Sequence, residues 1–196
     1  RGAYWTGMVL AKLQDDSGRR FSRNVFAMSG VSGGSLGSSV FAALVAEDHS
    51  GVLARAPCAA IPEVAYQACA TAVLRRDFLS PILGYLLYPD MVQRFLPMPV
   101  ESADRARAME LAWRTGWTDA VGSDRLGQRF DRLWEGQAGL QVPSLLLNAT
   151  MVDGGNRIIA SNIAIDGSFP DAFDAHHELI DLRRMSLATA IHNSAR

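Results

Sequence analysis

Ser32 stands in the run Gly30-Val31-Ser32-Gly33-Gly34, after the apolar residues Val25 and Phe26 and before a segment rich in small residues that starts at Leu36. A short buried strand, a G-x-S-x-G turn and a helix make a nucleophile elbow. A free serine hydroxyl is a poor nucleophile at neutral pH and needs a base beside it. The sharp turn lifts the side chain out of the sheet, and Gly30, Gly33 and Gly34 give the backbone room to fold that tightly. It also sets Ser32 at the start of a helix, where N–H groups and the positive dipole end favour a developing oxyanion. The Gly33 N–H is the natural donor. Ser29 and Ser35 are expected to make local hydrogen bonds and cap the helix.

The rest of the chain must position that turn. Apolar residues at helical spacing over 2–13 predict a helix, followed by a polar loop at 15–20. Residues 24–29 read as a strand buried on both faces, and 36–46 as a close-packing helix. Residues 57–76 are Ala-rich and mostly helical. Residues 77–99 carry four prolines among Leu, Phe, Tyr and Ile, which forbids one long helix and leaves short helices and turns. Their large apolar side chains are expected in the core, with a lid or membrane-facing surface as the alternative. Residues 101–113 form an amphipathic helix with Ala103, Ala106, Met109, Ala112 and Trp113 on one face, and 124–134 a further short helix. Strands follow at 143–150 and 157–161, joined by an Asp153-Gly154-Gly155 hairpin turn. Residues 176–184 are a polar connector, and 185–194 begin a final helix.

A chain of 196 residues, 48% hydrophobic and 20% charged, suits one α/β domain over 1–196. A net charge of -1 gives no electrostatic case for nucleic acid. No apolar run reaches the roughly 20 residues needed to span a bilayer. Cys58 and Cys69 are expected as two free buried thiols; a disulfide between them would close a short loop and suit an oxidising compartment. Neither has a His or a second Cys at metal-ligand spacing, so no metal or cofactor is expected.

The run SGVSGGSLG, with Arg1-Gly2 some thirty residues earlier, resembles the patatin-like lipid acyl hydrolases of bacterial type. Residues 1–13 resemble the end of that family's glycine-rich oxyanion loop and its following helix. Residues 143–162 and 187–196 resemble segments between the family's serine and its catalytic aspartate. The resemblance implies a three-layer α/β sandwich with a mostly parallel central sheet. It implies a serine esterase acting on phospholipid or acylglycerol through a Ser-Asp dyad and an acyl-serine. Ser32 would be the nucleophile; Gly2, Gly33 and Arg1 would belong to the oxyanion site. The partner would be a lipid or membrane surface, in the cytoplasm or at a membrane.

The family's Asp-Gly-Gly or Asp-Gly-Ala motif follows a segment like the one ending at Arg196, so the base is expected beyond it. The chain is thus expected to be partial at both ends and inactive alone. Asp153 matches the motif's letters but lies in a predicted hairpin turn, and Asp166-Gly167-Ser168 is turn chemistry. Two alternatives stay open. One is a Ser-His-Asp hydrolase drawing on His176, His177 or His192, which are expected to be solvated (His176, His177) or structural (His192). The other is a noncatalytic lipid-binding or scaffolding module of the same fold.

Overall fold

A computed structural model describes residues 1–98, 104–136, 141–166, 169, 171–175 and 185–195. In chain order it forms α1 (Gly2–Asp16), β1 (Ala27–Gly30), α2 (Gly33–His49), α3 (Ala65–Leu74), α4 (Leu79–Leu87), α5 (Pro89–Gln93), α6 (Arg105–Val121), β2 (Ser144–Thr150), β3 (Arg157–Ser161), β4 (Ala172–Asp174) and α7 (Leu187–Ala195). The four strands make one open sheet in the order β1-β2-β3-β4. β1 pairs with β2 in parallel, with Ala27 opposite Ser144 and Gly30 opposite Leu147. β2 and β3 are antiparallel, and β3 and β4 parallel. The sheet is therefore mostly parallel and the protein is mixed α/β.

α2 is the centre of the packing for α1, α3, α7, β1 and β2. Each of its residues from Ser35 to Glu47 is buried, as expected for a helix with no polar face. It lies against β1, β2 and α7 on one side and α1 and α3 on the other. Small residues set the α1 contact. A Cβ at Gly37 would stand 2.6 Å from the Ala3 carbonyl oxygen and 2.9 Å from the Gly7 nitrogen, so only glycine lets the two backbones approach this closely. The charged end of α2 is also enclosed. Glu47 takes hydrogen bonds from Ser123 (2.6 Å), Arg125 Nε (3.0 Å) and Ser50 (3.0 Å). Removing one partner from such a buried pair strands the other charge. At the far end of α1, Asp15 accepts the Tyr66 and Gln67 N–H groups and so caps α3.

The predicted elements are present, with shifts that have physical reasons. The hairpin between β2 and β3 turns through Gly154 and Gly155, both at positive φ (103° and 71°). Pro81 falls in the first turn of α4 and Pro89 starts α5, where a missing N–H costs no hydrogen bond. β1 is not buried on both faces: it is the sheet edge, with Met28 and Gly30 inward and Ser29 exposed. On α6 the buried stripe is Ala108, Trp113, Gly116, Trp117 and Ala120; it shares Trp113 with the predicted face, whose Ala106, Met109 and Ala112 are only partly buried, and continues beyond it, while Ala103 lies outside the described residues. Residues 125–127 and 130–134 are tight three-residue-per-turn segments rather than one α-helix. The short strand β4 gave no periodic signal.

Two expectations are corrected. Cys58 and Cys69 are joined in a disulfide rather than free; Cys69 is wholly buried on α3. The α4–α5 segment does not put all its large apolar side chains in the core. Phe78 packs inward, while Leu79, Leu83, Leu87, Tyr88, Met91, Val92, Phe95 and Met98 stand exposed, Phe95 by 86%.

Two outcomes follow from this packing. Gly37→Ala should destabilise the protein by about 1–3 kcal/mol through overpacking, read as a lower urea midpoint at unchanged slope. With bonded residues 11 apart, Cys58→Ala/Cys69→Ala should cost about 2–3 kcal/mol, and reductant should lower the wild-type midpoint but not the variant's.

Candidate active site

Ser32 connects the end of β1 to the start of α2 with φ 52° and ψ -126°. Among the described residues only Arg19 and Ser32 are non-glycine positions with positive φ. Arg19 follows a glycine in a surface turn; Ser32 is a tight strand-to-helix joint. Such a backbone costs about 1–3 kcal/mol and persists only where surrounding structure over-determines it. Ser32 is exposed, and although it occupies the N-cap position its hydroxyl caps nothing. No hydrogen bond to the Ser32 hydroxyl occurs among the described residues, so the oxygen is presented to solvent with its lone pairs unspent.

The glycines explain why the turn closes. A Cβ at Gly30 would stand 2.8 Å from both the Cα and the nitrogen of Ser35, so β1 and the first turn of α2 touch through bare backbone. A Cβ at Gly33 would stand 2.8 Å from the Ala3 nitrogen and 3.5 Å from Gly2 Cα. The N-termini of α1 and α2 therefore meet beside Ser32. Gly34 N–H is taken by the Val31 carbonyl (3.0 Å) and Ser35 N–H by the Ser32 carbonyl (3.1 Å). Among the described residues no acceptor takes the Gly33 N–H. With Arg1 at the N-cap of α1 and Gly2 as its first residue, the predicted Arg1, Gly2 and Gly33 are brought to one place. Two positive helix ends there can stabilise an anion. Gly34 sits on the open side, with nothing near its Cβ position.

Ser29 and Ser35 do not cap α2, contrary to the sequence reading; both bonds are long-range. Ser29 Oγ accepts from Asn148 Nδ2 (2.9 Å), which also donates to the Gly30 carbonyl (2.9 Å). Ser35 Oγ lies 2.7 Å from Ser194 Oγ, and the Ser194 hydroxyl donates to the Asn148 carbonyl at 2.5 Å. The Ser32 N–H donates to the Ser194 carbonyl at 2.8 Å. Sequence reasoning missed Asn148 and Ser194. Asn148, polar within the strand run PSLLLNAT, was the one available signal; Ser194 had none. No protein-family model, curated protein or solved structure matches the chain.

The other predicted residues fall elsewhere. Asp153 is exposed in the β2–β3 turn. The parallel register of β1 and β2 puts that turn at the same end of the sheet as the elbow, but no hydrogen bond links Asp153 to Ser32 among the described residues. The Asp166 carbonyl accepts the Phe169 N–H in a turn (2.9 Å); Gly167 and Ser168 lie outside the described residues. So do His176, His177 and Arg196. His192 is buried on α7, its Nδ1 3.2 Å from Glu110 Oε1 and its ring edge-on to Trp113. Thr189 Oγ1 donates to the other Glu110 oxygen (3.0 Å). Among the described residues no cluster of three or more His, Cys, Asp or Glu could hold a metal.

Burial pushes the Glu110 carboxyl up, but hydrogen bonds from His192 and Thr189 outweigh it, with help from the charges of His192 and Arg107. The net effect holds the group below its ordinary value of 4.5. On acidification the unfolded chain takes up this proton before the folded one does. The Glu110 contribution to stability should therefore be complete above about pH 4.5 and fade as the pH falls below it. Glu110→Gln should flatten that acid limb in a series of urea melts between pH 3 and 7, about a range where exposed carboxylates titrate equally in both proteins.

Proposed function

We propose that the protein is a serine acyl hydrolase of patatin-like type, cleaving lipid esters through an acyl-serine on Ser32 and a serine-aspartate dyad. The observation that carries this reading is the Ser32 backbone. A strained, exposed serine at a strand-to-helix joint, with its hydroxyl uncommitted and an open amide next to it, is arranged for attack and oxyanion binding. In this reading the Ser32 oxygen attacks the ester carbonyl, and its proton passes to the aspartate. The Gly33 amide, with the start of α1 at Gly2, faces the oxyanion. The leaving alcohol departs with that proton, and water then hydrolyses the acyl-serine. The three-layer form of the sandwich belongs to the same proposal.

Two surfaces support a lipid substrate. A cavity of about 260 Å³ lies between β2, β3 and α7, lined by Leu147, Ala149, Ile158, Ala160, Met185 and Ala190, with Ser194 on its wall. Its apolar lining suits an acyl chain and not a charged metabolite. The exposed apolar face of α4 and α5 suits contact with a lipid surface. Among the described residues no helix is long and apolar enough to cross a membrane.

A fluorophosphonate should modify Ser32 in the intact protein, and Ser32→Ala should lower esterase turnover by at least about 10³-fold while leaving the melting curve in place. An unmodified Ser32 in folded protein would instead favour the noncatalytic lipid-binding module. On phospholipid vesicles Phe95→Glu should reduce binding and turnover several-fold while hydrolysis of a soluble ester is unchanged; equal loss on both substrates would remove the α4–α5 face from the proposal.

A further inference from the structure

The hydrogen bonds behind the elbow have a direction. Ser194 has one hydroxyl proton, and it goes to the Asn148 carbonyl. The bond between Ser194 Oγ and Ser35 Oγ must then be donated by Ser35. The relay runs from Ser35 on α2, through Ser194 on α7, to Asn148 on β2. The Asn148 side chain carries it to Gly30 at the end of β1. The Ser194 carbonyl closes the ring on the Ser32 N–H. Four elements meet at the turn, and Ser194, on α7, is bonded to two of the others, α2 and β2, and to the turn itself. Ser194 is 2% exposed and Ser35 fully buried, so neither can exchange its partner for water without opening the packing.

We propose that Ser194 is a positioning residue for the Ser32 nucleophile, acting through its hydrogen bonds to Ser35 and Asn148 and its carbonyl on the Ser32 amide. The inference rests on the hydrolase reading. Two consequences make it more than a packing role. With the Ser32 N–H bound to Ser194, that amide is not an oxyanion donor, and the task falls to Gly33. The Ser35 hydroxyl also sets where the first turn of α2 sits relative to β1, because Ser35 is the residue Gly30 touches. Loss of the relay lets the first turn shift by a fraction of an ångström. Such a shift misplaces both the nucleophile and the Gly33 donor.

The test is the rate of fluorophosphonate acylation of Ser32 in the intact protein, read with hydrogen exchange at the Ser32 amide. Ser194→Ala and Ser35→Ala should each slow acylation about ten- to a hundredfold, and Ser35→Ala, which lies off the acyl cavity, should lower kcat on a soluble ester with KM unchanged. The double variant should be little slower than either single one, since both cut the same relay. Exchange at the Ser32 amide should become about tenfold faster in Ser194→Ala. Ser39→Ala is the control: Ser39 is buried on the same helix and its hydroxyl has no partner among the described residues, so acylation should stay at the wild-type rate. Wild-type acylation and exchange in Ser194→Ala overturn the inference, as does an equal slowing in Ser39→Ala. If wild-type Ser32 takes no adduct at all, the hydrolase reading falls, and exchange at the Ser32 amide alone then decides whether Ser194 holds the turn.

Discussion

The backbone of Ser32, held at φ 52°, is the constraint on which the rest of the architecture depends. A side-chain-bearing residue does not stay in that conformation without help. Help comes from three directions: bare backbone at Gly30 against Ser35, the Ser194 carbonyl on the Ser32 amide, and α1 pressed against Gly33. Each requires a particular element to be in place. β2 must lie parallel to β1 for Asn148 to reach Gly30, and α7 must end beside α2 for its last turn to reach the elbow.

The close crossing of α1 and α2 is the second half of the same arrangement. A crossing this tight needs Gly7 and Gly37 facing each other, and it places the N-terminal ends of both helices near Ser32. With an ordinary side chain at position 37, α1 would be displaced and its first residues would leave Gly33. The burial of α2 on all sides follows from this. Its small residues let α1, α3, α7 and the sheet approach together, and the enclosed charge of Glu47 is met by Arg125, Ser123 and Ser50.

Local chemistry made much of this legible in the sequence. The elbow, the hairpin at Asp153-Gly154-Gly155 and the proline-broken α4–α5 segment are written in glycine, aspartate and proline, whose backbone limits act within a few residues. What stayed hidden depends on partners distant in the chain. Ser194 and Ser35 are 159 residues apart, and nothing in either neighbourhood marks them as a pair. β4 spans three residues and is held by its pairing with β3, too short for a periodic signal. The burial of β1 was misread because an edge position is a property of the sheet and not of the strand. Trp113 was legible on α6, but the stripe runs on through Gly116, Trp117 and Ala120, beyond the predicted helix.

The position of α7 also bears on which base could serve Ser32. His192 and Ser194 are two residues apart, so on a helix turning about 100° per residue their side chains point to nearly opposite sides. Ser194 faces the elbow, and His192 faces α6, where Glu110 and Trp113 enclose it. Turning the His192 ring toward Ser32 would take α7 off the elbow and leave Glu110 Oε1 without its His192 contact. His192 is therefore engaged in fixing α7 against α6. With Ser194 and Ser35 on the inner side of the turn, the base that the hydrolase proposal calls for would approach Ser32 from its exposed side. An approach from that side is open to a carboxylate on a separate loop, as the proposed dyad requires.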